Sequence, residues 1–442
     1  MIRRIDAREA DGRKALEALR AALGAEQGMI SGSGAAGEAE AAVRRILDDV
    51  RKRGDIAVCE WTGKFDRAEV QPQDLRVSVK AIEAAYKSMP REFIATITRI
   101  RDAVRKFQRH ILLRDSKPLM RGGRKLRLLR RPMDRVGVYV PGGKAFYPST
   151  VLMTAVPALV AGVREVAVAC PPTAGGEIHP AVLAACRVAD VTEVYRMGGV
   201  QAIAAFAYGT ETVKPVEKIV GPGNAYVQLA KRIVFGHVGI DSFAGPSEVV
   251  VLADASADAR LIAADLLSQA EHDPGSAILL TPSANLADAV IAEVEKQVAN
   301  LSRAAATRAA LEKYSAVVVV ADMKAAVEQA NLFAPEHLEI QVKNPEAVLR
   351  KIRNAGAVFL GRWTPVAVGD YVAGPSHTLP TGGTARWASG LTANDFLRSM
   401  SVTEYNSKAL AADAADIFRM AETEGLTAHA ESVRKRLRDV GT

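Results

Sequence analysis

Apolar positions recur along this chain at two different spacings, and the change from one to the other divides it. Over residues 37–53 they fall at Ala42, Val43, Ile46, Leu47 and Val50, one stripe of a helix that should close at Gly54. A second helical region is expected over 91–110. From Arg127 onward short, uniformly apolar runs alternate with helical segments. Strands are expected at 136–140, 165–170, 193–197 and 218–220, each followed by a helix, at 149–163, 180–188, 201–207 and 225–234. A second series follows, with strands at 248–252, 277–280, 316–320 and 338–342 and helices ending at His272 and spanning 286–301 and 323–331. Strands apolar on both faces belong to parallel sheets covered by helices. The expected fold is therefore two similar doubly wound α/β domains, centred on 136–240 and 246–361, with helical segments at both ends. After Gly361 the alternation is lost, 369–386 reads as a Gly- and Pro-rich polar loop, and 403–438 reads as helix.

Composition narrows the setting. At 442 residues the chain holds two or three domains of ordinary size. Its start is charged and has no apolar run of the signal-peptide kind, and its longest apolar run, about 149–163, is too short to span a bilayer. Cys59, Cys170 and Cys186 are too few and too scattered for a disulfide framework or a cysteine zinc site, which fits a reducing cytoplasm. The net charge of +8 owes much to Arg121, Arg124, Lys125, Arg127, Arg130 and Arg131. Such a patch attracts anions of any kind, but no aromatics interleave with it to stack on single-stranded nucleic acid.

Several polar groups stand where apolar ones would serve. Gln269 and His272 lie three apart before Pro274, a spacing that places both on one helix face, either as a satisfied helix end or as half of a metal site. Gly-rich turns at Pro141-Gly-Gly143, Gly221-Pro-Gly-Asn224 and Ala244-Gly-Pro-Ser247 adjoin strands, where backbone can approach a phosphate, although none has the GxGxxG spacing. Glu336 and His337 meet between a helix and a strand and are either a capping pair or a proton-transfer pair. Asp370 and His377 sit in the polar loop, and Glu424 and His429 in the tail. Gln269, His272, Asp370 and His429 together make an N/O donor set suited to zinc, with manganese as the competitor. No cysteine lies in any of these motifs, so a thiolate nucleophile is not expected.

In order along the chain, Arg135-Val-Gly-Val-Tyr-Val-Pro-Gly-Gly143, Gly198-Gly-Val-Gln201, Gly221-Pro-Gly-Asn224, Ala244-Gly-Pro-Ser-Glu-Val249, Leu267-Ser-Gln-Ala-Glu-His-Asp273, Ala334-Pro-Glu-His-Leu338, Gly369-Asp-Tyr371, His377-Thr-Leu-Pro-Thr381 and Glu424-Gly-Leu-Thr-Ala-His429 resemble the motifs of the histidinol dehydrogenases. The resemblance implies incomplete Rossmann-like domains and zinc held by Gln269, His272, Asp370 and His429. It implies Glu336 and His337 as the acid/base pair and substrate contacts from Ser247, Gln269, His272, His337, Asp370, Glu424 and His429. Tyr139, Gln201 and Asn224 would contact NAD. It also implies a homodimer whose tails complete the partner's active site, and oxidation of L-histidinol to L-histidine through a bound aldehyde. On that basis residues 1–30 are an N-terminal helical arm. Residues 31–135 and 240–386 form a first α/β domain with most of the zinc and substrate site, 136–239 an NAD-binding domain, and 387–442 the tail. The alternatives are a relative acting on another polar alcohol, such as a sulfonated propanediol, and a basic nucleic-acid-binding α/β protein. A zinc hydrolase would explain the ligands but not the glycine turns.

Overall fold

A strand apolar on both faces is stable only between two layers of helix, and this constraint organises both halves of the chain. The computed structural model describes residues 1–28, 34–142, 146–243, 245–272 and 275–438; Gly143, Ala244, Asp273 and Pro274, named above, lie outside the described residues. The chain opens with β1 (Arg3–Asp6), α1 (Ala10–Gly28), α2 (Gly34–Asp66), α3 (Val79–Ser88) and α4 (Arg91–Ile111). A hairpin follows, β2 (Leu119–Arg121) and β3 (Arg124–Pro132). The first α/β series is β4 (Arg135–Tyr139), α5 (Pro148–Ala161), β5 (Glu165–Cys170), α6 (Pro180–Val188), β6 (Glu193–Arg196), α7 (Gly199–Tyr208), β7 (Lys218–Val220), α8 (Ala225–Val234) and β8 (Gly239–Ile240). The second is β9 (Ser247–Ala253), α9 (Ala259–Ala270), β10 (Gly275–Thr281), α10 (Ala284–Val298), α11 (Ala304–Tyr314), β11 (Ala316–Val319), α12 (Met323–Phe333), β12 (His337–Gln341), α13 (Pro345–Leu349), β13 (Ala357–Leu360) and α14 (Val366–Tyr371). The C-terminal part is β14 (Leu397–Tyr405), α15 (Ser407–Thr423) and α16 (Thr427–Arg438).

The strands form two parallel sheets and one antiparallel sheet. The five-stranded sheet has the order β6-β5-β4-β7-β8, and the six-stranded sheet β1-β11-β10-β9-β12-β13. In each, the chain winds outward in one direction and then returns to the other side, so the order reverses between β4 and β7 in one sheet and between β9 and β12 in the other. Such reversals open a crevice where no crossover helix covers the strand ends. The third sheet, β14-β3-β2, is antiparallel, and nine residue pairs join β14 to β3.

The expected doubly wound architecture is present, with four differences. Residues 3–6 are a strand of the six-stranded sheet, paired in parallel with β11, so the first thirty residues are only partly a helical arm. The helices of 31–135 pack on the five-stranded sheet instead of the six-stranded one: Ile82, Ile97 and Val104 of α3 and α4 join the core beneath α5 and α6, and Val43, Leu47 and Val58 of α2 join the core beneath α7. The stripe expected to close at Gly54 bends there, at φ 56°, and resumes as helix to Asp66; the Glu211 carboxylate accepts from the Asp55 amide at 2.8 Å and holds the bend. The tail begins as β14 and becomes helix only at Ser407.

Helix packs closely on sheet at Gly137 in β4, where a Cβ would lie 2.7 Å from the Phe206 ring of α7. Phe206 is fully buried. Phe206→Ala is expected to lower unfolding free energy by about 3–5 kcal/mol, read from urea unfolding. A loss near zero would show that α7 does not lock onto β4 through this ring.

Candidate active site

The Glu336–His337 pair is placed by how α12 ends. Ala334 takes a left-handed φ of 47° at the helix C-cap, Pro335 follows, and β12 begins at His337. His337 pairs with Val249 across β9, so the pair lies at the amino ends of β12 and β9, beside Ser247 and Glu248. In open parallel sheets ligands ordinarily bind at the carboxyl ends of the strands. In this sheet the polar groups gather at the opposite end, where α9 and α12 return toward the sheet.

These residues form one hydrogen-bonded chain. Gln269 at the end of α9 donates from Nε2 to Ser247 Oγ at 2.6 Å, and Ser247 Oγ donates to Glu336 Oε2 at 2.6 Å. The Glu248 amide also donates to Glu336 Oε2, at 3.0 Å. His337 Nδ1 lies 3.1 Å from the Glu248 carbonyl oxygen. A carbonyl only accepts, so Nδ1 carries the proton and Nε2 holds the basic lone pair. His337 Nε2 is buried without a hydrogen-bond partner among the described residues and stands 3.8 Å from Asp370 Oδ1.

Burial sets the charges. It pushes the Glu336 carboxyl up to about 7, opposed by the hydrogen bonds from Ser247 and Glu248. It pushes Glu248 up to about 8, with the negative Glu336 adding to the shift. It lowers His337, so the ring is neutral in neutral solution, and it raises Asp370 despite the nearby imidazole. A neutral imidazole with an open nitrogen beside a carboxyl near its own midpoint is a pair able to move protons at neutral pH.

The expected metal ligands divide into two groups. Gln269 is buried, and His272 lies two residues past the end of the helix at Ala270, so the two share a turn and not a continuous helix face; the His272 amide donates to the Gln269 carbonyl at 3.2 Å. Asp370 sits on the short helix α14, not in a loop. Asp370 Oδ1 stands 3.8 Å from the His337 ring, and that ring also acts electrostatically on His272, which lies exposed just past α9. His429 and Glu424 lie exposed in the tail, His429 in α16 and Glu424 at the end of α15. Among the described residues no three His, Cys, Asp or Glu side chains gather around one point. Gln269, His272 and Asp370 are N/O donors of the kind zinc takes, and His429 stands exposed in the tail.

The second half of the crevice is the carboxyl end of the five-stranded sheet. Tyr139 ends β4, and its hydroxyl accepts from the Gly199 amide at 3.1 Å. Gln201 in the first turn of α7 is fully buried, with Oε1 unpartnered among the described residues. Asn224 caps α8 by accepting from the Val227 amide at 3.1 Å. At Gly221, φ 115°, a Cβ would lie 2.1 Å from the Tyr139 carbonyl oxygen. Buried Lys231 donates to the Gly221 carbonyl and pairs with Asp241, which accepts from the Gly221 amide. A fixed glycine turn, an orphan amide oxygen and an exposed helix N-terminus at a sheet's switch point fit a dinucleotide. His377 joins the halves: Nδ1 faces the Asp370 carbonyl at 3.1 Å, and Nε2 lies 3.5 Å from Thr150 Oγ1 on α5.

Glu248, His377 and a buried carboxyl pair had no assigned role in the sequence reading. Asp265 on α9 and Glu339 on β12 hydrogen-bond to each other, Gln341 Nε2 donates to both at 2.8 and 2.9 Å, and Glu339 Oε1 accepts from the Val366 amide that starts α14. The pair ties the elements bearing Gln269, His337 and Asp370 together. A charged residue interrupting the apolar runs at 248–252 and 338–342 was the available signal. The cysteines stay out of the chemistry: burial pushes Cys59 and Cys170 up to about 11 and about 12.

The chain is similar to known proteins over nearly its whole length. The model of the histidinol dehydrogenase family matches residues 32–437. A histidinol dehydrogenase of Rhodopirellula baltica is 52% identical over 394 residues, covering 89% of this chain and 86% of that protein. One of a Synechococcus species is 50% identical, covering 90% and 92%. The crystal structure of histidinol dehydrogenase from Elizabethkingia anophelis matches with a TM-score of 0.88 at 37% identity, covering 91% of this chain and 92% of that one.

The Glu336 environment has a measurable consequence. Its carboxyl is protonated in both folded and unfolded chains below its ordinary 4.5 and ionised in both above about 7. Between these values only the unfolded chain releases the proton, so this group's contribution lowers stability as pH rises through the window and leaves the full penalty above it. At pH 8, Glu336→Gln should be more stable than the parent by about 2 kcal/mol, and the gain should shrink toward pH 5. Denaturant unfolding at both pH values tests this; a pH-independent difference would contradict it.

Proposed function

Because this chain belongs to the histidinol dehydrogenase family, we propose that it oxidises L-histidinol to L-histidine through bound L-histidinal, with zinc and two successive NAD. The observation that carries the proton chemistry is the His337 ring, held by the Glu248 carbonyl with its basic nitrogen open and 3.8 Å from Asp370. The link that His377 makes between Asp370 and Thr150 of α5 supports a reading with substrate contacts on one side and a dinucleotide on the other.

Zinc at Gln269, His272, Asp370 and His429 of the partner subunit would act as a template that orients the amino alcohol. Tyr139, Gln201 and Asn224 would hold NAD, which when bound supplies the hydride acceptor for each oxidation. His337 Nε2 takes the proton of the substrate hydroxyl as hydride leaves the carbon, which gives the aldehyde. Ser247 and the Glu248 amide hold Glu336 by one oxygen, leaving Oε1 to take a proton from water as it adds to the aldehyde carbon. His337 then takes the hydroxyl proton of the hydrate as the second hydride leaves. One water enters, four electrons leave, and no acyl-thiol intermediate is needed, in keeping with the high thiol pKa values of Cys59 and Cys170. Glu424 contacts the substrate from the tail.

The exposed tail and the β14-β3-β2 sheet, whose strands pack little of either face, support a homodimer in which each tail serves its partner's site. The basic residues of β3 are partly spoken for: Arg124 pairs with Asp413, Lys125 with Glu404 and Arg131 with Asp115. No helix is long and apolar enough to cross a membrane among the described residues.

His337→Asn is expected to retain zinc and NAD and to slow single-turnover NADH formation about 10²- to 10⁴-fold; an unchanged rate would remove it as the base. Mixing His337→Asn with His429→Asn chains separates shared from self-contained sites. Each mixed dimer would hold one intact site, so activity should recover to about a quarter of the parent's. No recovery would place His429 in its own chain's site.

A further inference from the structure

Among buried groups the proposed chemistry leaves unused, one stands at the dinucleotide end of the crevice. Asp66 is the last residue of α2, and its Oδ2 is buried with no hydrogen-bond partner among the described residues. A carboxylate at a helix C-terminus is disfavoured by the helix dipole. No cation offsets this, since burial alone acts on the group and pushes it up to about 6. An unpartnered buried acceptor is costly to the fold. Asp66 therefore has the features of a group held ready for a ligand donor.

Its position says which ligand. Thr62 and Asp66 lie one turn apart on α2 and share a face, and fully buried Thr62 accepts from Gln201 Nε2 at 3.4 Å. Gln201 presents the second unpartnered acceptor, Oε1, from the first turn of α7. Asp66 also acts electrostatically on Tyr139 and Cys170, the last residues of β4 and β5, so it lies over the carboxyl ends of those strands. Two orphan acceptors, linked through Thr62 near the carboxyl end of one sheet, call for a ligand rich in hydroxyl donors.

The two faces of the sheet orient that ligand. Thr150 on α5 reaches His377, and through it Asp370 and the His337 pocket, so the reacting nicotinamide belongs on the α5 face. Asp66 and Gln201 belong to the opposite face, built by α2 and α7. The adenosine half of the dinucleotide falls there.

We propose that Asp66 accepts a hydrogen bond from the adenosine ribose of NAD and repels the 2′-phosphate of NADP, making it a specificity-determining residue. This rests on the NAD reading above. The test is direct binding of NAD and NADP to the full-length, zinc-loaded protein by calorimetry, with no turnover required, for the parent, Asp66→Asn and Asp66→Ala. Loss of a hydrogen bond to a charged acceptor should weaken NAD about tenfold in both variants and narrow the NAD-to-NADP ratio. Histidinol affinity should stay at the parent's value, and the melting temperature should not fall, since the variants remove an unpartnered buried carboxyl. If the parent binds NAD and both variants bind it equally well, the role of Asp66 is overturned. Weaker NAD binding with an unchanged NAD-to-NADP ratio overturns its placement at the adenosine ribose. A parent that binds no dinucleotide instead overturns the cofactor reading itself.

Discussion

The hydrogen bond between His337 Nδ1 and the Glu248 carbonyl is the constraint on which the candidate site turns. It fixes the ring's orientation and tautomer together, so the basic nitrogen faces Asp370. The same residue, Glu248, uses its amide to hold Glu336 and its side chain to accept from the Glu336 and Gly382 amides. One residue at the amino end of β9 thus sets both members of the proton-transfer pair. Because a rigid parallel sheet supplies these backbone groups, they hold their geometry without a ligand.

The site is split between two architectures that meet end to end. The five-stranded sheet offers the glycine turn and helix N-terminus of its carboxyl end, suited to a phosphate-bearing cofactor. The six-stranded sheet offers the amino ends of β9 and β12, crowded with carboxyls whose burial opposes their ionisation. His377, lowered to about 4 by burial and therefore neutral, bridges them without adding charge. The pocket is in this sense poised at the fold's expense, since groups tuned for proton exchange are poorly solvated when ionised.

The parallel strands were legible because burial on both faces leaves an unbroken apolar run, as in Val249-Val-Val-Leu252. Glu336, His337, Gln269 and Asp370 were legible as polar residues where the pattern required none, although their roles came from the family resemblance. β1 was not, because Arg3-Arg-Ile-Asp6 carries charge and forms only by pairing with β11 more than three hundred residues later. β14 was read as helix in part because its faces are exposed and carry no alternating signal. Asp370 was read into a loop because a six-residue helix leaves little periodicity. The Glu248 carbonyl could not be read at all, since backbone groups are the same at every position, and His429 lies exposed in the tail with nothing in its own helix to mark a role.

The most direct test of this account is the tautomer of His337, measured by long-range ¹H–¹⁵N NMR on protein labelled at histidine nitrogens and assigned by the signal lost in His337→Asn. A neutral ring protonated on Nδ1, with Nε2 titrating, is the predicted result. A ring protonated on Nε2 in the resting protein would mean that the Glu248 carbonyl does not hold it and that the open nitrogen is not the base.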